Sequence, residues 1–179
     1  LLAQHGFGDD AARGLVVVVT PTVSLALDHQ ETVQRIGLGP GPFVYQGGDD
    51  DQNAEIRARI AAGEQRLVFA APEAITRGGL RHVLRQAARD GQLSALVVDE
   101  AHLVEVWGKE FRPDFQILAG FRSSLLRECG GTPFRTILLS ATVTPQTVEI
   151  LRTLFGRGPD GRPAFGVAGA VALRPEIEY

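Results

Sequence analysis

Asp99-Glu100-Ala101-His102 is the stretch of this 179-residue chain richest in groups that can do chemistry. It directly follows Ala95 to Val98, an apolar run of strand type, so adjacent carboxylates stand at the end of a buried segment. Carboxylates are costly to hold charged in such a place unless a cation faces them. A hard cation such as Mg²⁺, which takes oxygen ligands and bridges to phosphates, meets that need. Neighbours on an extended chain point to opposite sides, so the two acids can divide the work. One can hold the water shell of a metal, and the other can orient or deprotonate an attacking water. The plainer alternative is a strand end followed by a helix cap.

Other segments carry polar groups at comparable places. Ser140-Ala141-Thr142 follows the apolar run Ile137 to Leu139, and its hydroxyls can bond a neighbouring carboxylate and respond to its state; alone it is a turn. Thr20-Pro21-Thr22-Val23-Ser24-Leu25 follows the run Leu15 to Val19 and offers hydroxyls and helix-opening amides of the kind that suit nucleic-acid phosphates. Trp107-Gly108-Lys109-Glu110-Phe111-Arg112-Pro113-Asp114-Phe115 holds the chain's only Trp and its only Lys. Aromatics interleaved with cations can stack on unpaired bases and hold phosphates, or can simply plug the space under a loop.

The elements that must position these groups alternate in type. Strands are expected over Leu15–Val19, Phe43–Tyr45, Arg66–Ala70, Ala95–Val98, Ile137–Leu139 and, interrupted by glycine, Phe165–Leu173. Helices are expected from Thr22 to about Ile36 and from Ala54 to Ala62, with Asp49, Asp50 and Asp51 at its start and Gly63 as its stop. Leu80, Val83, Leu84 and Ala87 mark a third helix that ends at Gly91. Helices from Asp114 to Arg127, with Ile117, Leu118, Phe121 and Leu125 on one face, and from Pro145 to Phe155 complete the series. Continuous apolar strands alternating with helices call for an α/β fold with a mostly parallel sheet covered on both faces. Chemistry in such sheets gathers beyond the carboxyl ends of the strands. The four segments described above all begin there or follow from there.

Composition narrows the class. The hydrophobic fraction is 44%, the charged fraction 22% and the net charge -3, an ordinary globular balance that argues against disorder and against a protein that coats nucleic acid by general basicity. A single cysteine, Cys129, excludes an internal disulfide framework and a thiolate zinc site in this segment. The histidines His5, His29, His82 and His102 show no metal-ligand spacing. No apolar run reaches the ~18 residues of a membrane span, and no signal peptide opens the sequence, so a cytoplasmic location is expected.

Taken in order, these segments resemble the superfamily 2 helicases, and among them the RecQ-type DNA helicases, from about Leu15 to Tyr179. Asp99-Glu100-Ala101-His102 looks like motif II, the DEAH or Walker B box, and Ser140-Ala141-Thr142 like motif III. Val19-Thr20-Pro21 through Ser24-Leu25 is similar to motif Ia, and Ala71-Pro72-Glu73 to motif Ib. Trp107-Gly108 and Phe111-Arg112-Pro113-Asp114-Phe115 resemble the RecQ aromatic-rich loop. That loop departs from the family pattern at Lys109, where His is usual, and at Glu105-Val106, where Ser-Gln is usual.

The resemblance implies a RecA-like three-layer lobe that uses ATP and Mg²⁺. It implies Asp99 on the metal, through water, Glu100 on the attacking water, and His102 with Ser140, Ala141 and Thr142 in coupling. It implies DNA, preferentially single-stranded or tailed duplex, against Thr20, Pro21, Ser24, Pro72, Glu73, Trp107, Lys109, Phe111 and Arg112. The activity implied is 3′–5′ movement on DNA by an ATP-dependent helicase or translocase. A catalytically inactive docking module and another superfamily 2 motor, such as an RNA helicase or a restriction translocase, are the alternatives.

The phosphate loop of such enzymes, G-x-x-x-x-G-K-[ST], does not occur in these residues, because the only lysine is Lys109 and Glu110 follows it. The family pattern therefore predicts that residues 1–14 end the helix after that loop, that 15–173 form most of the first RecA-like lobe, and that 174–179 lead toward a second lobe. Such a segment alone is expected to be inactive.

Overall fold

The computed structural model describes residues 14–37, 39, 41–104 and 114–168. Five strands, β1 (Leu15–Val19), β2 (Val44–Tyr45), β3 (Leu67–Ala70), β4 (Leu93–Val98) and β5 (Arg135–Leu138), form one sheet in the order β2-β3-β1-β4-β5. Every pairing is parallel. The helices between them are α1 (Val23–Arg35), α2 (Asp50–Ala61), α3 (Pro72–Thr76), α4 (Gly78–Arg89), α5 (Asp114–Glu128) and α6 (Pro145–Phe155).

Alternation along the strands splits the apolar residues between two faces. Val17, Val19, Val68 and Ala70 join Ile56, Ile60, Leu80, Leu84, Leu118 and Leu125 in the larger core, beneath α2, α4 and α5. Val18, Leu67 and Phe69 pack with Ala26 and Val33 of α1 in a smaller cluster on the other face. Helices on both faces of a parallel sheet make the three-layer α/β fold that the sequence implies.

Local chemistry fixes several boundaries. Thr22 caps α1, its Oγ1 accepting from the Leu25 amide at 3.3 Å. Asp49 caps α2 in the same way through the Gln52 amide at 3.1 Å, so α2 begins at Asp50, among the aspartates expected at its start. Gly63, at φ 73°, ends α2 in the left-handed region that glycine alone enters without cost.

Other expectations need adjustment. Ile117 is 41% exposed, and the buried stripe of α5 runs instead through Phe115, Leu118, Ala119, Phe121, Arg122, Leu125 and Leu126. Strand β5 ends at Leu138, earlier by a residue than its apolar run suggests. Residues 164–168 form no strand, and 169–173 lie outside the described residues. Arg122 is buried inside this layer, donating from Nε to Thr136 Oγ1 at 2.9 Å and from Nη1 to the Arg157 carbonyl at 2.7 Å. Burial, which disfavours the charged form, pulls its proton affinity below the ordinary arginine value.

Candidate functional site

Loops leave the carboxyl ends of β3, β1, β4 and β5, which are neighbours in the sheet, at one edge of the fold. Backbone bonds continue the ladder past the strands. The Thr20 amide donates to the Ala70 carbonyl at 3.1 Å, Asp99 to Val19 at 2.9 Å, Leu139 to Val98 at 2.8 Å and Ala101 to Leu139 at 2.8 Å. The segments singled out in the sequence therefore start side by side, held by the sheet itself.

Asp99 and Glu100 do not continue the extended strand. Glu100 has φ 49°, the only positive value at a non-glycine among the described residues. The chain turns sharply there, so strand alternation is not what separates the two acids. A left-handed torsion at a residue with a long side chain costs about 1–2 kcal/mol. The turn is closed by Asp99 Oδ1, which accepts from the Glu100 amide at 2.9 Å.

The turn sends the carboxylates to different partners. Glu100 Oε2 lies 3.1 Å from His102 Nδ1, and the same nitrogen lies 3.1 Å from Ser140 Oγ. Ser140 gives its one proton to the Thr142 carbonyl at 2.7 Å and accepts from the Thr142 amide at 3.3 Å. Its oxygen can thus only accept from His102, which fixes a proton on Nδ1. That N–H is shared between the Glu100 carboxylate and Ser140. The loop after β4 is in this way wired to the loop after β5.

Asp99 has a different neighbour. Its Oδ2 lies 3.2 Å from Nε2 of His29, and the imidazole is stacked on Phe69 of β3, with centroids 5.6 Å apart and planes at 28°. His29 lies on the inward stripe of α1 with Ala26, Gln30 and Val33, at i, i+3, i+4 and i+7 spacing. Nothing in the spacing of the histidines marks it. The available signal is a polar residue on a packing stripe, shared by Gln30, whose Oε1 accepts from the Phe43 amide at 2.9 Å.

The remaining residues divide by exposure. Thr20, Pro21 and Pro72 are buried, whereas Ser24, Ala141 and Thr142 are exposed and Glu73 is half-buried. The Thr20 hydroxyl is buried with no hydrogen-bond partner among the described residues. Pro72 opens α3, and its carbonyl accepts from Thr76 Oγ1 at 2.9 Å. Trp107, Lys109, Phe111 and Arg112 lie outside the described residues. Asp114, the next described residue, accepts at Oδ1 from Nη2 of Arg77, just before α4, at 2.8 Å.

A helicase family model decides what this arrangement belongs to: that of the DEAD/DEAH box helicases matches residues 2–151. The chain belongs to the DEAD/DEAH box helicase family. The RecQ-like DNA helicase blm-1 of Caenorhabditis elegans is 36% identical over 142 residues, covering 78% of this chain and 14% of that protein. The ATP-dependent helicase SGS1 of Saccharomyces cerevisiae is 31% identical over 144 residues, 79% of this chain and 10% of that protein. This helicase domain therefore spans only a small part of the length of these relatives. Among solved structures, the helicase Lhr of Mycobacterium smegmatis bound to ssDNA and AMP-PNP is similar, with a TM-score of 0.55, 28% identity, and coverage of 84% of this chain and 20% of that one. The helicase domain has the RecA-like fold, and blm-1 is among its relatives named as RecQ-like.

The donor set suits Mg²⁺ bound mainly through water and phosphates. Among the described residues no group of three or more His, Cys, Asp or Glu side chains could cage a metal. Mg²⁺ does not need such a cage, since it keeps several waters and takes one or two carboxylates beside substrate phosphates. No helix of the described residues is long and apolar enough to cross a membrane.

Proposed function

We propose that this chain is the acid-bearing part of the first RecA-like lobe of an ATP-dependent DNA helicase or translocase of RecQ type. The observation that carries the proposal is the wiring of Glu100 to Ser140 through His102, at the strand ends where a family of ATP-driven motors keeps its hydrolytic site. Residues 15–173 belong to this lobe, and 174–179 lead toward a second one. Movement is 3′–5′, and single-stranded or tailed DNA is the partner, in keeping with relatives named as RecQ-like DNA helicases and a similar fold bound to ssDNA.

In this assignment Asp99 holds the water shell of Mg²⁺, and Glu100 orients the attacking water and takes up its proton. The metal supplies charge neutralisation on the phosphates. Once Glu100 is protonated, it no longer attracts the His102 N–H as a carboxylate does, so that N–H shifts its bonding toward Ser140. Hydrolysis is thereby felt in the loop after β5. Ser24 lies exposed to meet the DNA backbone, and Thr20, Pro21 and Pro72 set the paths of the DNA-facing loops. Glu73 and the segment with Trp107, Lys109, Phe111 and Arg112 complete the proposed DNA contacts.

The test is Glu100→Gln in the full-length protein. DNA-stimulated ATP hydrolysis is expected to fall by two orders of magnitude or more, in line with the weight of a positioned general base, about 10²–10⁴. Nucleotide-dependent DNA binding should persist. Undiminished hydrolysis in this variant would remove the assignment. Residues 1–179 alone are expected not to hydrolyse ATP.

A further inference from the structure

We infer that His29 is a positioning residue for Asp99, setting which way that carboxylate presents its free lone pairs to the hydrated metal. The inference rests on the assignment of Asp99 proposed above. An ionised carboxylate only accepts, so His29 Nε2 carries the proton in the 3.2 Å contact with Oδ2. The other oxygen is already engaged by the Glu100 amide at 2.9 Å. Both oxygens are thus pinned, one by the backbone of its own turn and one by a side chain 70 residues away in sequence.

The imidazole is itself fixed. Thr22 sets the start of α1, and the ring lies against Phe69, which is buried in the sheet. Phe69 in turn is held by its amide bond to the Phe43 carbonyl at 2.8 Å and by the pairing of β3 with β1 and β2. A rigid stack therefore aims the N–H. A carboxylate free to rotate about χ2 would meet the water shell in several orientations, and only some of them suit the octahedral geometry that Mg²⁺ demands. Hydrogen-bonding partners behind a metal-binding group commonly alter affinity by about 10- to 100-fold when removed. The low end applies here, because the metal is held through water.

Three variants of His29 separate this role from packing. His29→Phe keeps a ring on Phe69 and loses the donor. His29→Gln loses the ring and keeps a side-chain N–H, and His29→Ala loses both. In the full-length protein, the Mg²⁺ concentration for half-maximal binding of a fluorescent, non-hydrolysable ATP analogue should rise about tenfold in His29→Phe and His29→Ala. It should stay within about twofold of the parent in His29→Gln. Binding of Mn²⁺ followed by electron paramagnetic resonance gives a second readout that does not depend on turnover. Asp99→Asn serves as the control. If Asp99→Asn raises the Mg²⁺ requirement and His29→Phe does not, the inference is overturned and the site assignment stands. An unchanged requirement in Asp99→Asn overturns both. A shift in His29→Gln as large as in His29→Ala, with none in His29→Phe, makes the ring a packing element only and also overturns the inference.

Discussion

His102 Nδ1 and Ser140 Oγ lie 3.1 Å apart and join the turn after β4 to the turn after β5. The bond has a fixed direction, because Ser140 spends its proton on the Thr142 carbonyl. Ser140→Ala removes one of the two acceptors of the His102 N–H, leaving it to Glu100 alone, and frees the Thr142 amide and carbonyl. The ratio of DNA-stimulated to basal ATP hydrolysis should fall about fivefold, the factor that about 1 kcal/mol of lost hydrogen bonding represents. Nucleotide affinity should stay unchanged. Steady-state hydrolysis with and without a saturating oligonucleotide measures this, and an unaltered ratio would show that the bond carries no coupling.

The torsion at Glu100 predicts a trade between stability and activity. Glycine and asparagine enter the left-handed region more readily than glutamate. Glu100→Gly and Glu100→Asn should therefore raise the melting temperature, by up to about 1 kcal/mol in stability, while hydrolysis is lost. Thermal unfolding of the variants checks the sign. A lowered melting temperature in both would mean that the contact of Glu100 with His102 outweighs the strain.

Adjacent residues of α5 should differ sharply. Leu118 is fully buried and Ile117 is 41% exposed, although the spacing of apolar residues puts both on one stripe. Leu118→Ala should cost about 2–5 kcal/mol, whereas Ile117→Ala should stay within about 0.5 kcal/mol. Chemical denaturation of the two variants measures the difference.

Arg122 should prove structural. Arg122→Ala leaves Thr136 Oγ1 and the Arg157 carbonyl without their donor and opens space beneath β5, so a loss of about 2–4 kcal/mol is expected. Arg122→Met fills the space and removes the desolvated charge, and should recover at least half of that loss, since apolar replacements of buried charges are often tolerated. Equal losses in the two variants would assign the whole effect to the hydrogen bonds.

The parts of the molecule legible in its sequence are those governed by local chemistry. Apolar runs at Leu15–Val19 and Ala95–Val98, the caps at Thr22 and Asp49 and the stop at Gly63 each report on a few neighbouring residues, and each holds in the structure. The alignment of Thr20, Ala71, Asp99 and Ser140 at one sheet edge also follows, because parallel strands carry their carboxyl ends to the same side. His29 was not legible as a site residue, since its partner is distant in sequence and only its place on an inward stripe distinguishes it. The turn at Glu100 was hidden for a different reason. Glutamate gives no signal for a positive φ, so nothing in the sequence marks the end of the extended chain there. Ile117 misleads because the stripe of α5 drifts toward Phe115, Ala119 and Arg122 around the helix.

The bonds that carry the ladder beyond the strands give the lobe a mechanical character. The amides of Thr20, Asp99, Ala101 and Leu139 each donate to a carbonyl of a neighbouring strand or loop. Tension on the Thr20 loop along the strand axis is resisted in shear, by the bonds of β1 to β3 and to β4 acting together, so no single bond peels first. The chemical turn at Asp99 sits on the next strand of that same load path. A load on the Thr20 loop and a change at the acids are thus both felt by one hydrogen-bonded sheet.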